Sequence, residues 1–339
     1  MSSRYISVCP ISTDYNATDS LAPLVPIKIT DSIFVENISE IIRQTPFKSL
    51  TPHFLSETEA AALRRTQYAL VRHFDCAFAD RPAENERSAN LLYQLYLGLK
   101  VIRPTAGKFL ILHYDLGTPS PRLPDGSRND YGTIVCDYER LNRIRQEDIQ
   151  ELAALAPLIL GALKSAPNPI AQAVHNLEVG YRTDFAYVRH LLWVVGLDSL
   201  VTSQVPKRFG KGVAVPRITS FLEPTFQIYP EKGSPGFDLP ILPDTTLQET
   251  IGDIYDLRNS FAHGDWPDKA RFGQICRRSL DGTEDIDYST VLCEAASSIL
   301  RGCLKKILAD VSTVEIFNHK SKMNAYFDGH LAASTGKPI

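Results

Sequence analysis

Arg258, Asn259 and His263 close the stretch TLQETIGDIYDLRNSFAHGDW, residues 246–266. Together they are residue types suited to phosphate chemistry. Arginine offers a planar fork that matches phosphate oxygens, and histidine exchanges a proton near neutral pH. Those are the two parts needed to cleave RNA without a metal. The ribose 2′-OH acts as nucleophile, the histidine moves the proton, and the arginine stabilises charge on a phosphorane-like transition state. Gly264 follows His263 and is a natural helix stop, able to take the left-handed conformation. Arg258 lies five residues before His263, about 7.5 Å along a helix axis and about 140° around it. The two side chains converge only where the helix end unwinds or where two copies meet across a dimer axis. On helix chemistry alone, His263 can equally complement the negative end of the helix dipole, with Arg258 an ordinary surface residue.

The elements that must position these residues are legible from periodicity. Leu247, Ile251, Ile254, Leu257 and Phe261 recur at helical spacing, predicting an amphipathic helix that ends at the motif. From about Gln146 onward the chain reads as helices: QEDIQELAALAPLILGALKS, then one long helix or two over 170–203, a short helical piece at 213–223, and a helix over YSTVLCEAASSILRGCLKKIL. The proline-rich stretch 224–244 predicts an ordered connector or flap. The first 145 residues read differently. Short alternating runs, YISVC and PIKITDSIFVE, predict strands, as do KFLILHYD and YGTIVCDY, with a turn-rich loop between that second pair. Ser56 and Glu59 form a capping-box signature for a helix expected to run to about Phe78, followed by a second over 85–100. The fold class expected is therefore an α+β domain over 1–145, an all-α helical bundle over 146–315 and a polar C-terminal tail over 316–339.

LRNSFAHG, at the end of an amphipathic helix in an all-α C-terminal half, resembles the R-x₄₋₆-H motif of HEPN domains, where a polar residue such as Asn259 commonly follows the arginine. LLWVVGLDSLVTS resembles the earlier helix of the Apea-like HEPN group, although Asp198 stands where a glutamate is more usual. RITSFL resembles the short helix that follows, and YSTVLCEAASSILRGCLKKIL the helix after the motif. The resemblance covers about 170–310 and is most specific at Arg258, Asn259 and His263. It implies a helical bundle that forms homodimers, with the two motif-bearing helix ends facing each other. It also implies a metal-independent endoribonuclease, of the kind used in defence or toxin-like systems, leaving a 2′,3′-cyclic phosphate. Arg258 then stabilises the phosphate, His263 is the acid/base, and Asn259 orients His263 or holds a phosphate oxygen. Some HEPN proteins lack nuclease activity. The alternative is a non-catalytic dimerisation or binding module with a ligand-sensing N-terminal domain.

Other candidates have plainer explanations beside them. Asp198 interrupts an apolar run, so a buried position requires a partner. An arginine of the motif helix is the obvious one, making Asp198 either a residue that positions Arg258 or a structural salt bridge. His190, among Arg182, Asp184 and Arg189, reads as a satisfied core histidine. Lys207, Arg208 and Lys211 in KRFGKG lack P-loop spacing and predict an exposed basic turn able to touch an RNA backbone. No metal site is expected: the six cysteines are scattered, and His113, Asp115, Cys136 and Asp137 give no recognised ligand spacing. No cofactor loop or hydrolase elbow is present in the sequence. With 44% hydrophobic and 22% charged residues and a net charge of −3, the composition is that of a globular protein without an overall basic field, which excludes a DNA-coating role. Neither a signal peptide nor a membrane-length apolar run is evident, so a cytoplasmic location, with RNA as partner and no membrane association, is expected.

Overall fold

A computed structural model describes residues 3–11, 26–44, 64, 66–103, 110–116, 144–164, 168–183, 185–202, 211–222, 226, 246–278 and 285–335. The chain divides into two compact units, Met1–Leu160 and Gly161–Ile339.

In the first unit, β1 (Ser3–Pro10), β2 (Ile27–Lys28), β3 (Ile33–Asn37), β4 (Tyr68–Cys76) and β5 (Leu112–Asp115) form a sheet of order β2-β3-β4-β1-β5. All four pairings are antiparallel. One face of the sheet carries Ile6, Val8, Val71, Leu112 and Tyr114, closed over by Ile38 and by Ile42 of α1 (Ser39–Gln44). The opposite face presents Arg72 to α2 (Arg81–Ile102), where it bonds Glu84 and Ser88 at 2.7 and 2.6 Å. That bond holds the Glu84 carboxyl below its ordinary range. Ser7 and His113 are register partners on β1 and β5 and share a 2.7 Å hydrogen bond. Burial, helped by the Arg81 charge, pushes the His113 imidazole down to about 4. α3 (Gln146–Lys164) lies along α2, with Ile159 and Leu152 seated where a side chain at Gly98 would be. Asp148 in its first turn accepts from the Arg145 backbone N–H and from Arg103.

β4 corrects the expected helix to Phe78. Residues 68–72 are buried without a break because both faces of the strand are covered, so alternation is lost and the run reads as helical. The Ser56–Glu59 capping signature, the YGTIVCDY strand and the loop before it lie outside the described residues.

The second unit is mostly helical, and its middle helix is the one that carries Asp198. α4 (Pro169–Arg182) begins at Asn168, whose side-chain oxygen accepts from the Ala171 N–H at 2.8 Å. α5 (Ala186–Val201) packs on α4 so closely that a Cβ on Gly180 would sit 2.3 Å from the Trp193 indole nitrogen. That nitrogen donates to the Leu177 carbonyl at 3.2 Å. α6 (Lys211–Leu222), α7 (Leu247–His263) and α9 (Tyr288–Leu308) complete the core around α5. Between α7 and α9 come the short helix α8 (Lys269–Phe272) and a hairpin of β6 (Ile275–Arg278) and β7 (Asp285–Asp287), none of them expected from the sequence.

The expected polar tail is instead helical: α10 (Val311–Phe317) and α11 (Lys320–Thr335) fold back on α6. Phe317 and Phe327 pack on Phe221, with ring centroids 5.3 and 6.1 Å away. Arg217 lies over the Phe327 ring and bonds Asn324 at 2.9 Å and the Val201 carbonyl at 2.7 Å. Among the described residues no single helix is long and apolar enough to cross a membrane.

Candidate functional site

The site is built on the C-terminal half of α7, and both ends of that helix are closed. Thr246 and Glu249 form a reciprocal capping box at the start, with N–H···O distances of 3.2 and 2.8 Å. At the other end Gly264 takes φ 74°. Its N–H donates to the Phe261 carbonyl at 3.2 Å, while the Asp265 N–H donates to Ser260 at 2.9 Å. That pair of bonds is a Schellman termination, which satisfies carbonyls the last turn leaves open. His263 is the last helical residue and its side chain is exposed.

Thr250, Ile251, Ile254, Tyr255 and Leu257 form the buried face of α7. Arg258 stands at the edge of that face, its side chain 31% exposed and Nη2 lying 3.6 Å from Oδ2 of Asp198 on α5. That distance is too long for a hydrogen bond, so the contact is electrostatic rather than a locked bidentate pair. Asp198 is held from its other oxygen, which accepts from the Tyr255 hydroxyl at 2.7 Å. Burial raises the Asp198 carboxyl above its ordinary value, against the opposing pull of the Tyr255 bond and the Arg258 charge. Tyr255 is raised well above its own range by burial and by the adjacent carboxylate. The result is a chain Tyr255–Asp198–Arg258, in which a buried phenol aims a carboxylate at the arginine.

Asn259 is exposed, and its side-chain oxygen accepts from Arg258 Nη1 at 3.1 Å. It steadies the guanidinium, and its bond goes to Arg258 rather than to His263. Arg258 is thus flanked by two oxygen partners, and His263 stands free at the helix terminus among the described residues.

His190 lies beneath the same turn. It is fully buried, its Nε2–H donates to the Ile254 carbonyl at 2.9 Å, and its ring stands edge-on to Phe261 at 5.7 Å. Burial pushes the imidazole down to about 4, with Arg258 adding a smaller effect in the same direction. It is a neutral core residue, and its Nδ1 has no partner among the described residues. Its charged neighbours are engaged elsewhere: Arg189 donates to the Thr183 carbonyl at 2.7 Å and Arg182 pairs with Glu178 at 2.7 Å. Asp184 lies outside the described residues.

Of the basic turn, Lys207 and Arg208 lie outside the described residues. Lys211 opens α6, lies across Gly252, and pairs with Asp256 at 2.7 Å. Asp256 also accepts from Arg271 of α8 at 2.8 Å, and Arg271 reaches Asp253, which accepts from the Tyr288 hydroxyl. Although burial opposes it, these two cations hold the Asp256 carboxyl below its ordinary range. Sequence reasoning missed this cluster, although Asp253 and Asp256 stand three residues apart, which places them on one helix face. A cleft of about 480 Å³, walled by Lys211, Thr246, Glu249 and Asp253, opens at the start of α7. That is the opposite end from His263.

Around the motif end stand exposed aromatic side chains that the sequence reading did not single out: Phe185, Tyr187 and Trp266. Burial pushes the thiols of Cys9, Cys293 and Cys303 up to about 12, leaving them inert. Among the described residues no group of three or more His, Cys, Asp or Glu side chains is placed to hold a metal ion.

No protein-family model, curated protein or solved structure matches the chain.

Proposed function

We propose that the chain is a metal-independent endoribonuclease of the HEPN type, acting as a homodimer. The observation that carries the reading is the state of Arg258. It is half-exposed and steered by Asp198 and Asn259, five residues ahead of an exposed histidine at a closed helix end. At 3.6 Å from Asp198 its guanidinium is not locked in a bidentate pair, so its fork remains available. The side chain keeps access to solvent while its direction is fixed, the arrangement that phosphate binding requires.

The chemistry is transesterification followed by product release. The 2′-OH of the nucleotide on the 5′ side attacks the adjacent phosphorus while a histidine accepts its proton. The bond from phosphorus to the 5′-oxygen of the next nucleotide breaks, and that oxygen takes a proton from a second imidazolium. The products are a 2′,3′-cyclic phosphate and a 5′-hydroxyl, with no proton gained or lost overall. One chain supplies one His263, and the helical offset separates it from its own Arg258 by about 140°. Two copies meeting at their α7 ends supply both imidazoles and both guanidinium groups.

The test is cleavage of a labelled structured RNA in EDTA by wild type and by His263→Ala at matched folding and oligomeric state. Cleavage that the variant loses, with cyclic-phosphate ends, is the expected result. Cleavage retained by His263→Ala removes the assignment. The second reading, a non-catalytic binding or dimerisation module, draws on the exposed rings beside the motif, and it gains if both proteins bind RNA or self-associate without cutting.

A further inference from the structure

Exposing large aromatic side chains forgoes roughly 1.5–3 kcal/mol of burial for each, so a group of them in one place calls for a purpose. Trp266 is 93% exposed, Phe185 62% and Tyr187 48%. Two of them belong to a continuous row. Phe185 packs on Tyr187 at 5.8 Å between ring centroids, and Tyr187 on Phe261 at 6.2 Å. Phe261 lies two residues before His263, and Trp266 follows His263 by three. The row therefore leads from the start of α5 to the catalytic end of α7, and Trp266 stands just beyond it in sequence.

The charge alongside the row suits a polyanion. α5 begins at Phe185, whose side chain provides no cap for the opening N–H groups, and its first turn carries no acidic residue. Its positive end lies next to the rings, with Asp184 just ahead of it in sequence. Arg258 adds a half-exposed guanidinium on α7. Flat apolar faces near a guanidinium match a strand of nucleic acid whose bases are unpaired, because each base offers a π-face and each link a phosphate. A duplex hides those faces.

Resting on the ribonuclease reading, we infer that Phe185, Tyr187 and Trp266 stack unpaired nucleobases beside the phosphate held at Arg258 and His263. The substrate of the site is then a locally single-stranded RNA segment, gripped by its bases as well as by its backbone.

The chain provides its own probe. Of its two tryptophans, Trp193 is buried with its indole N–H bonded to Leu177, so a change in long-wavelength emission reports Trp266. The experiment titrates full-length His263→Ala, which binds without cutting, with a short single-stranded RNA, the same strand annealed to its complement, and an abasic version. The expected result is saturable quenching by the single strand alone. Phe185→Ala or Tyr187→Ala, with unchanged circular dichroism, weakens binding by about fivefold or more, in line with alanine replacement of other base-stacking rings.

Equal quenching by the duplex, or none by any strand, overturns the inference. So does conversion of a dimer to a monomer by the alanine changes, since the rings are then covered by a second copy. Cleavage by wild type with kcat/KM unchanged in Phe185→Ala, Tyr187→Ala and Trp266→Ala also overturns it and leaves the ribonuclease reading standing. Quenching with the expected losses in a wild type that never cuts supports the stacking and removes the ribonuclease reading.

Discussion

Two arginine–aspartate pairs, one in each unit, show how differently the same chemistry is used. In the first unit Arg103 meets Asp148 at 2.5 Å, with the side chains only 10% and 7% exposed. In the second, Arg258 stands 3.6 Å from Asp198, at 31% and 25%. The first pair is closed: taken out of water, tightly bonded and useful for holding α3 to the end of α2. The second is open. Asp198 satisfies one oxygen on Tyr255 and turns the other toward a guanidinium that water still reaches. The distance within each pair and its exposure, rather than the residue types, distinguish the closed arginine from the open one.

The largest expected effect breaks the open pair through activity. Arg258→Ala and His263→Ala each lower the RNA cleavage rate by about 10²–10⁴-fold, the usual range for losing a transition-state donor or an acid/base, as read from single-turnover assays. Arg258→Ala at the same time changes the unfolding free energy by less than about 1 kcal/mol, because a half-exposed pair contributes little.

Arg103→Ala sharpens the contrast from the other side. It leaves Asp148 buried without its cation and costs about 3–5 kcal/mol, measured as the loss in urea midpoint. A value below about 1 kcal/mol would erase the distinction drawn between the pairs.

The buried histidines provide the next test, again one in each unit. His113 and His190 are both pushed down to about 4 by burial, against about 6.5 in an unfolded chain. Above pH 6.5 both states are neutral and nothing is lost. Between 6.5 and 4 the unfolded chain takes up protons that the folded chain refuses, so stability falls as pH falls through that window. At pH 5 the loss is about 2 kcal/mol for each histidine relative to neutral pH. Denaturation at pH 7 and pH 5, with His113→Gln and His190→Gln beside the wild type, separates the contributions: each substitution removes its own share of the slope.

The smallest effect concerns the helix stop. Gly264→Ala introduces a Cβ that meets nothing within 4 Å, so its cost comes from the left-handed backbone alone, about 1–2 kcal/mol. Thermal unfolding reads this as a drop in Tm of a few degrees.

Much of the second unit was legible because α7 states its own register and stop: apolar spacing from Leu247 to Phe261 and Gly264 at its end. The need of Asp198 for a partner was legible too; its hydrogen bond goes to Tyr255, which the sequence did not single out, and Arg258 stands 3.6 Å away. Asn259 was expected to orient His263 or to hold a phosphate oxygen, and its bond to Arg258 was not foreseen. Its side chain turns to Arg258, a choice decided by rotamer rather than by spacing. β4 was misread because a strand covered on both faces loses the period of two by which strands are recognised. α10 and α11 were hidden for the opposite reason. They bury a few anchors, Phe317, Met323 and Phe327, among mostly polar residues, and the surface that receives them, Phe221 and Arg217, lies about a hundred residues upstream. The aromatic row escaped notice because Phe185, Tyr187 and Phe261 are adjacent only once α5 and α7 pack together.

The two closed ends of α7 fix more than its length. Thr246 and Gly264 act as end-stops, so the rotational phase of Arg258 and His263 is set inside the helix and is insulated from the chain on either side. Lengthening or shortening the connector ahead of Thr246 leaves both side chains facing as they do. One residue inserted between Leu247 and Arg258 swings the part that follows by about 100°, carrying Arg258 off Asp198 and His263 away from whatever faces it. Evolution of such a protein is then free to vary the connector and strictly held to the letter count within the helix.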